Sequence, residues 1–540
     1  MKKLLLVVSI FTLLSPALTV AQAPNLGTAA NFVLFSSNGA VSNTGISQIT
    51  GNVGTNNGSS TAFGNVNGVM HDNDGASAQC AADLLIAYNQ LNATVPGFFP
   101  AALLGNGQML NAGVYSIGSN ATLNLDLILN GQNNPNAVFI FKIQGAFSAN
   151  ASSKVKLING ALACNVFWKV EGLVSMASGA TMRGTIIANN AAININTGDT
   201  LEGRALSTTG AVTIDNAFAY TPIGCGSPVL TGPTAPVLGV AGCYAVFSSN
   251  GAVSNTGVTQ ITGDVGSNNG PVTGYNPALV AGTTHTIPDG STAQAANDLL
   301  IAYTYVNTLP YDIELLYPAQ FGNNLVLTPH TYRMNSAATF VDSLYLNALG
   351  NVNAVFVIQI NGALTTSTYA KVKLINGAQA KNVYWKIEGG ASINNYSVFR
   401  GTVICNNGAL GAINTGVIFD GRALTTTGAL TTAATTITAN TFPSGCVNVG
   451  IHSYDAGNPY NIKVFPNPFT TFIEVNITEA SKINTCEFKL YNALGVEVMN
   501  RSVTTPVVTI ETGNLAAGIY FYKVISNNKA IHSGKLVSQQ

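Results

Sequence analysis

Residues 33–58 read VLFSSNGAVSNTGISQITGNVGTNNG, and residues 245–270 read AVFSSNGAVSNTGVTQITGDVGSNNG. Of these 26 aligned positions, 20 are identical. The similarity continues beyond this block, because KVKLINGALACNVFWKVEG at 154–172 returns as KVKLINGAQAKNVYWKIEG at 371–389. A repeat of about 200 residues is too long for one solenoid unit and indicates duplication of a whole domain. The sequence therefore predicts two copies of one fold.

Composition narrows the classes of function. The 540 residues carry 22 Lys and Arg against 22 Asp and Glu, and only 8% of all residues are charged. Such a chain offers no basic surface of the kind that nucleic acids and anionic membranes attract. No nucleophile elbow, phosphate loop or metal-ligand spacing is present. We therefore expect no nucleic-acid partner, no cofactor, no metal site and no enzymatic activity.

The N-terminus predicts export. Met1-Lys2-Lys3 is followed by an apolar run up to about Val20 and then by the small residues around Ala21. This order is typical of a secretory signal peptide, here residues 1–21, with cleavage after Ala21. No later stretch is long and apolar enough to span a bilayer. We expect a secreted or surface-attached protein with no membrane-spanning segment in its mature form.

Each copy shows the alternation of β-strands. In the second copy Val355 and Val357, and then Val372 and Leu374, alternate with polar residues, and Asn-Gly pairs such as Asn376-Gly377 separate the runs. Short strands joined by tight turns fit either an antiparallel sandwich or a β-solenoid. The Asn, Gly, Ser and Thr at the corners favour the solenoid, since left-handed backbone and side-chain ladders occur there.

One segment of each copy departs from the strand pattern. In 77–92 and 292–307 apolar residues follow the i, i+1, i+4, i+7 spacing of an amphipathic helix. Each helix should end before Pro96 or Pro310, because a helix rarely continues into proline. The residues assigned to its apolar side are Leu84, Leu85, Tyr88 and Leu91 in the first copy and Leu299, Leu300, Tyr303 and Val306 in the second. We expect one helix beside each β-solenoid.

The motifs LGTAANFVLFSSNGAVSNTG, AADLLIAYNQL, VFIFKIQG and RGTI together resemble the bacterial and fungal ice-binding (antifreeze) protein family. The resemblance covers about 26–222 and 243–443. It implies a mainly β fold, with two right-handed β-helix domains that each carry one long flanking α-helix. It also implies that ice, with its ordered surface water, is the binding partner, although activity resides on one face rather than in the scaffold.

The composition changes near Asn461, and a third unit begins there. Residues 462–540 contain seven Lys or Arg and five Asp or Glu, and their alternating segments predict a small antiparallel β-sandwich. VFPNPF at 464–469, LAAGIY at 515–520 and GKLV at 534–537 closely resemble the C-terminal sorting domain of the type IX secretion system. The resemblance implies that the secretion machinery is a partner of this segment.

These observations divide the chain into six parts. They are a signal peptide at 1–21, β-helix domains at 24–225 and 243–446, a Pro/Gly-rich linker at 226–242, a second linker at 447–461, and the sorting domain at 462–540. Seven cysteines in an exported chain suggest disulfides. Cys225 and Cys243 flank the first linker and are candidates to pair across it, although an odd number leaves at least one thiol without an intramolecular partner.

Recurring carboxylates raise one enzymatic alternative. Glu171 recurs as Glu388, and Glu202 recurs as Asp420, as a polysaccharide-cleaving β-helix with paired carboxylates would require. Basic residues recur beside them, at Lys169, Arg183 and their counterparts. Neutralising ion pairs between strands or rungs account for the set without catalysis.

The candidate binding surface comes from threonine density. Nine threonines occupy residues 425–441, including TAAT at 432–435 and TANT at 438–441, which look like the T-A/G-x-T/N pattern on the ice-contacting face of some family members. Outward threonines on stacked rungs form a regular array, and their branched Cβ restricts rotation. The candidate ice-binding residues are Thr425, Thr427, Thr432, Thr435, Thr438 and Thr441 in the second copy, and Ser207, Thr209 and Thr213 in the first.

The sequence thus favours an exported ice-binding protein that limits crystal growth or holds the cell near ice. Because the first copy is poorer in threonine here, the second copy is the stronger candidate for binding. Threonine is also simply a good strand residue, so the cluster alone does not establish a binding face. The alternative function is a surface adhesin or structural module that uses the same fold to bind glycan or protein.

Overall fold

The structure is a computed structural model that describes residues 21–222, 224, 229–286, 288–442, 446, 462–477, 486–526 and 529–539. The predicted signal peptide, apart from Ala21, and the linker predicted at 447–461 lie outside the described residues. Two β-helices occupy most of the chain, and small antiparallel sheets follow them. We call the unit with strands between 32 and 220 β-helix 1 and the unit with strands between 244 and 438 β-helix 2. The expected mainly β fold is confirmed.

Each β-helix has a three-sided cross-section: two sides belong to one branched parallel sheet, and the third is a separate eight-stranded parallel sheet. We name the sides by what they carry: the helix face, the mixed face and the small-residue face. Two long strands in each unit bend at a glycine and contribute to both the helix face and the mixed face. In β-helix 1 these long strands are Thr181–Ala188 and Thr200–Ser207, and in β-helix 2 they are Val398–Asn406 and Ile418–Thr425.

In β-helix 1 the remaining strands of the helix face are Phe32–Ser36, Asn52–Thr55, Met70–Asp72, Gly113–Ile117, Phe139–Ile143 and Val166–Val170. Those of the mixed face are Gln48–Thr50, Gln108–Asn111, Asp126–Asn130, Lys154–Ile158 and Phe218–Tyr220. Those of the small-residue face are Val41–Thr44, Ser60–Thr61, Leu103–Gly105, Ala121–Asn124, Phe147–Ala149, Val174–Met176, Ile193–Ile195 and Val212–Asp215.

In β-helix 2 the remaining strands of the helix face are Tyr244–Ser248, Asp264–Ser267, Thr284–His285, Ile313–Glu314, Thr331–Met334, Phe356–Ile360 and Val383–Glu388. Those of the mixed face are Gln260–Thr262, Val280–Ala281, Leu325–Leu327, Ser343–Asn347, Lys371–Ile375 and Thr436–Thr438. Those of the small-residue face are Val253–Thr256, Val272–Thr273, Phe321–Gly322, Ala338–Val341, Leu364–Thr366, Ala391–Ile393, Leu410–Ile413 and Leu430–Ala433.

The corners explain why these sequences coil. At the Asn-Gly corners, Asn159 and Asn376 adopt φ values of 50° and 49°, a left-handed conformation that Asn tolerates better than most residues. Asn side chains also bond from rung to rung, as between Asn150 Nδ2 and Asn124 Oδ1 at 3.0 Å. Between the corners most strands have buried apolar side chains on their inner side. Each rung therefore contributes one layer to a continuous core.

The two predicted α-helices are present. Helix α1 spans Gly75–Ala93 and helix α2 spans Gly290–Thr308, and both end before the expected prolines. Each begins with a capping box in which Asp74 or Asp289 accepts a bond from the N3 backbone.

The buried side of each helix packs on the helix face of its β-helix. Leu84 and Leu91 in α1, and Leu299 and Val306 in α2, are buried as predicted. Leu85 and Leu300 are 55% and 56% exposed, so their assignment to the apolar side is wrong. They lie one position, or about 100° of helical rotation, beyond the buried stripe.

A recurring polar network attaches each helix to its β-helix. The phenol of Tyr88 on α1 and the amide of Asn189 donate to Glu171 at 2.8 Å each, and Lys169 pairs with the same carboxylate. Burial alone would raise the pKa of Glu171, but the bonds from Lys169, Asn189 and Tyr88 outweigh it and hold the pKa below its ordinary value of 4.5. The equivalent network in β-helix 2 centres on Glu388, whose pKa is lowered in the same way.

This network predicts an acid-sensitive fold. A depressed carboxylate pKa contributes stability that is present above the unfolded-state value near 4.5 and is lost as pH falls through the folded-state value. We therefore expect the free energy of unfolding to fall as pH is lowered below about 4.5, and to fall less in Glu171→Gln/Glu388→Gln. Urea titrations from pH 7 to pH 3 measure this, and identical pH slopes for both proteins would contradict it.

The disulfide at Cys243 differs from the pairing that the sequence suggested. Cys243 is bonded to Cys446, with Cα atoms 5.3 Å apart, and not to Cys225, which lies outside the described residues. The first strand, Tyr244–Ser248, inserts beside Ile418–Thr425 near the end of the unit, so the two ends of β-helix 2 meet. Cys164 is also disulfide-bonded.

We expect Cys243→Ser/Cys446→Ser to destabilise β-helix 2 selectively. The bond closes a loop of 203 residues, and removing native disulfides typically costs about 2–5 kcal/mol. Differential scanning calorimetry should show a lower midpoint for the β-helix 2 transition, while the β-helix 1 transition stays in place. An unchanged trace would contradict this prediction.

The C-terminal unit is antiparallel, as predicted. One sheet contains Ile462–Phe465, Phe472–Ile477 and Val507–Glu511. The other contains Cys486–Tyr491, Glu497–Val503, Gly518–Ser526 and Lys529–Ser538. A separate apolar cluster that includes Ile473, Phe488 and Val524 holds these sheets together. Nowhere in the described part of the chain is a helix both long and apolar enough to cross a membrane.

Candidate functional site

The small-residue face of β-helix 2 carries two outward columns of short, uncharged side chains. The strands of this face pair in parallel. Thr365 therefore lies beside both Thr339 and Ser392, and Ser254 lies beside Thr431. The first column is Thr339, Thr365, Ser392, Ala412, Thr431, Ser254 and Thr273. The second is Val341, Asn394, Asn414, Ala433 and Thr256. All of these residues are partly or fully exposed, and none is charged.

β-helix 1 repeats the pattern. Its first column is Thr122, Ser148, Ser175, Asn194, Thr213, Ser42 and Thr61. Three features make this face less uniform. Asp215 brings a carboxylate to the second column, and Leu103 and Leu173 project from the face with 53% and 44% of their surface exposed.

The geometry of these faces follows from β-structure. Adjacent rungs lie about 4.8 Å apart, and alternate residues along a strand lie about 6.6 Å apart. Hydroxyls and amides are held by their neighbours, as between Thr122 Oγ1 and Ser148 Oγ at 3.1 Å or Thr213 Oγ1 and Asn194 Oδ1 at 3.0 Å. Short side chains that are fixed in this way lose little entropy when they contact another surface. Each face is therefore a preorganised array of methyl, hydroxyl and amide groups, and that of β-helix 2 is also free of charge.

The other two sides do not present such a surface. The helix face is covered by α1 or α2. The mixed face carries larger and charged side chains, with Lys156 paired to Asp126 at 2.6 Å and Arg183 paired to Glu202 at 2.8 Å. In β-helix 2 the same side carries Lys373, whose Nζ lies 2.8 Å from the hydroxyl of Tyr345. Charged groups of this kind bind their own water strongly.

The structure separates the candidate residues named from the sequence. Four of them are buried, and their hydroxyls are bonded within the protein: Ser207 to Ala191 O, Thr425 to Gly408 O and Thr427 O, Thr432 to Asn255 Oδ1, and Thr435 to Val417 O. A buried side chain has no surface to offer an external ligand. These four side chains stabilise corners and rungs within the protein. We do not retain them as candidate contacts with an external ligand.

The five remaining candidates are accessible but lie in three places. Thr213 stands on the small-residue face of β-helix 1. Thr209 and Thr427 lie at the corner that leads into this face in each unit. Thr438 belongs to the mixed face, paired with Thr262 and Asp420, and Thr441 follows it at the exposed end of the unit. The threonine-rich segment thus crosses two faces and does not form one surface.

A different signal in the sequence marks the face. Most of its strands carry one short polar residue between two buried residues, as in Thr122 within ATL, Ser148 within FSA and Ser175 within VSM. The triplets INI, VTI and VSN continue the series at 193–195, 212–214 and 41–43. This pattern recurs once per rung, whereas the density of one residue type does not follow the rungs.

The recurring carboxylates form ion pairs. Lys386 Nζ lies 3.3 Å from Glu388, and Arg400 lies 3.7 Å from Asp420, which matches the pairs of the first copy. Glu171 belongs to the helix face and Glu202 to the mixed face, so the two do not flank one groove. Across the described ranges, no three His, Cys, Asp or Glu side chains are grouped to hold a metal ion.

The comparisons with known families agree with this architecture. The Ice-binding-like family matches residues 35–219 and 247–438, and the secretion system C-terminal sorting domain matches residues 463–539. The type IX sorting domain predicted at the C-terminus is thereby confirmed. Because of this sorting domain, the chain is exported to the cell surface or beyond.

Individual relatives point the same way. An ice-binding protein of Nostoc sp. is 37% identical over 199 residues, covering 36% of this chain and 73% of that protein. One of Colwellia sp. is 31% identical over 232 residues, covering 40% and 88%. The crystal structure of an ice-binding protein from an Antarctic bacterium, Flavobacteriaceae, is 59% identical with a TM-score of 0.77, covering 78% of this chain and all of that one. With both of its β-helices matched, this chain belongs to the ice-binding-like family.

Proposed function

We propose that this chain is an exported ice-binding protein and that it adsorbs to ice through the small-residue faces. The observation that carries the proposal is the charge-free double column on β-helix 2, which stands on a rigid solenoid and is not covered by any other element of the described chain. Repetition of similar short side chains at the seven positions of the first column, one on each rung, suits a ligand that is itself periodic. Ice has this property, and a folded protein partner does not.

The chemistry of the face supports adsorption rather than reaction. Methyl groups order nearby water without binding it tightly, and the hydroxyls and amides between them accept or donate single hydrogen bonds. An array fixed before contact avoids most of the ordering cost of association. Water that the array orders can therefore merge with the ice surface at a small entropic cost.

The assay is thermal hysteresis together with inhibition of ice recrystallisation, both measured on the full chain. We expect a concentration-dependent depression of the freezing point below the melting point and small, stable ice grains after annealing. Bovine serum albumin at equal mass concentration is the control for colligative effects. Complete inactivity at high concentration would overturn the proposal.

The proposal has no catalytic component, since the family consists of proteins named for ice binding and the recurring carboxylates are neutralised by ion pairs. It also includes no nucleic-acid partner. The secretion machinery recognises the sorting domain at 463–539. Nothing in the two columns of β-helix 2 favours the adhesin alternative, because their outward side chains are neither charged nor aromatic.

A further inference from the structure

The two β-helices meet end to end through a buried polar contact. The amide of Asn67, at the last rung of β-helix 1, is 3% exposed. Its Nδ2 donates to Thr328 Oγ1 at 3.1 Å, and its Oδ1 accepts from the hydroxyl of Tyr332 at 2.7 Å. Thr328 and Tyr332 belong to the first rungs of β-helix 2 and are themselves buried. A buried amide that is satisfied on both sides by the other unit specifies one arrangement of the two.

A second asparagine extends the contact. Asn65 Oδ1 accepts from the backbone N–H of Tyr317 at 2.9 Å, and Asn65 Nδ2 donates to the carbonyl of Tyr317 at 3.0 Å. The side-chain amide of Asn65 thereby makes two hydrogen bonds to the backbone of Tyr317, as the backbone of a neighbouring strand would. Gln48 Nε2 adds a bond to the carbonyl of Asn323 at 2.8 Å. Together with Asn67 these residues form what we call the end lock.

The free ends of the molecule lack the two lock asparagines and Thr328, although they keep Gln260 in place of Gln48 and Tyr115 in place of Tyr332. In β-helix 1 Asn67 pairs with Thr50. The equivalent of Thr50 in β-helix 2 is Thr262, and its partner is Ala281 instead of an asparagine. Two positions earlier, Asn65 is replaced by Leu279. At the opposite end, Thr328 corresponds to Asn111 of β-helix 1. The contacts made by Asn65 and Asn67 therefore occur once, at the internal junction.

The junction also sets the rotation of one unit against the other. Gln48–Thr50 on the mixed face of β-helix 1 contacts Leu325–Leu327 on the mixed face of β-helix 2. The corners that join the mixed and small-residue faces meet nearby, where residues 43–48 and 62–65 line a cleft with residues 317–325. Like faces thus follow one another along the molecule, and both small-residue faces turn toward the same side.

We infer that the end lock holds the two small-residue faces in one fixed orientation so that both engage the same ice surface. The inference rests on the proposed function. When the first face has adsorbed, the second is already in position, which raises its effective concentration at the ice. Asn65 and Asn67 are positioning residues in this scheme and do not contact ice themselves.

The test uses Asn65→Ala/Asn67→Ala in the full chain, with Asn395→Ala at an exposed corner as the matched control. Spin labels at Asn89→Cys on α1 and Thr304→Cys on α2 report the distance between the units by pulsed electron paramagnetic resonance. We expect a narrow distance distribution in the parent and control proteins and a broad one in the lock variant. Thermal hysteresis of the lock variant should fall to that of a chain whose β-helix 1 face is blocked by Thr213→Tyr.

Each outcome distinguishes the two proposals. A distribution that stays narrow in the lock variant would overturn the role of Asn65 and Asn67. A broad distribution with unchanged thermal hysteresis would overturn joint engagement of the two faces. If the parent protein has no ice activity, the proposed function fails, and joint engagement fails with it. The distance measurement still decides whether the lock exists, because it does not depend on ice.

Discussion

Thr213→Tyr/Thr431→Tyr is expected to abolish ice activity without unfolding the protein. The two threonines occupy equivalent positions in the first outward column of each small-residue face. A tyrosine ring there stands above its short neighbours and prevents close approach over several rungs. Because a loss of only ~1.4 kcal/mol in adsorption already corresponds to a tenfold weaker affinity, we expect adsorption to weaken at least about tenfold and thermal hysteresis to fall to near background. Cryoscopy on the purified variants measures it.

The chain offers a closely matched control. Thr200 and Thr436 are also outward strand threonines, but they lie on the mixed faces. Thr200→Tyr/Thr436→Tyr therefore adds the same bulk to the same two β-helices on another side, and it should retain parental activity. Circular dichroism melting curves of both double variants should match the parent. If the mixed-face pair lost activity and the small-residue pair kept it, the assignment of the face would be reversed.

The alternation of side chains along a strand explains why the sequence alone did not predict the small-residue face that we propose, apart from Thr213. Thr431 and Thr432 are adjacent and chemically identical, yet Thr431 points outward and Thr432 is 2% exposed. Shifting the register by one residue exchanges the two sides of a strand, and in this strand only Leu430, at its start, marks the inner side. In VTI at 212–214 the buried neighbours do mark it. The same reasoning from that triplet correctly places Thr213 outward.

Other features could be predicted from the sequence, because a single local pattern determines each of them. The repeat, the strand alternation and the Asn-Gly corners predicted a solenoid, and the proline after each helix predicted its end. The end lock was not accessible. Asn67 is one of many loop asparagines in the sequence, and only the approach of Thr328 and Tyr332 from a distant segment distinguishes it. Contacts between the two β-helices depend on how the units pack against each other, and this packing produces no periodic pattern in the sequence.

The largest effect on stability is expected from Glu171→Ala. Lys169 is 1% exposed at its side chain and pairs with Glu171. Removing the carboxylate leaves a buried ammonium that keeps its bond to the side-chain oxygen of Asn92 at 2.8 Å and its contact with the ring of Tyr88, but no counter-charge. Breaking one partner of a buried pair costs about 3–5 kcal/mol, because the remaining charge keeps its desolvation penalty. The variant also loses the bonds from Tyr88 and Asn189 that attach α1. Urea unfolding followed by circular dichroism should show this loss in β-helix 1.

Two companion variants separate charge burial from the loss of a surface contact. Lys169→Met/Glu171→Leu removes both charges and keeps the volume, so it should recover most of the stability lost in Glu171→Ala. Glu202→Ala removes the partly exposed partner of Arg183 and should cost no more than about 1 kcal/mol, as is usual for such pairs. If Glu171→Ala and Glu202→Ala were equally mild, the network would not anchor the helix. Glu388 repeats the arrangement in β-helix 2. Glu388→Ala should therefore lose more stability than Asp420→Ala, which tests the same comparison independently in the second copy.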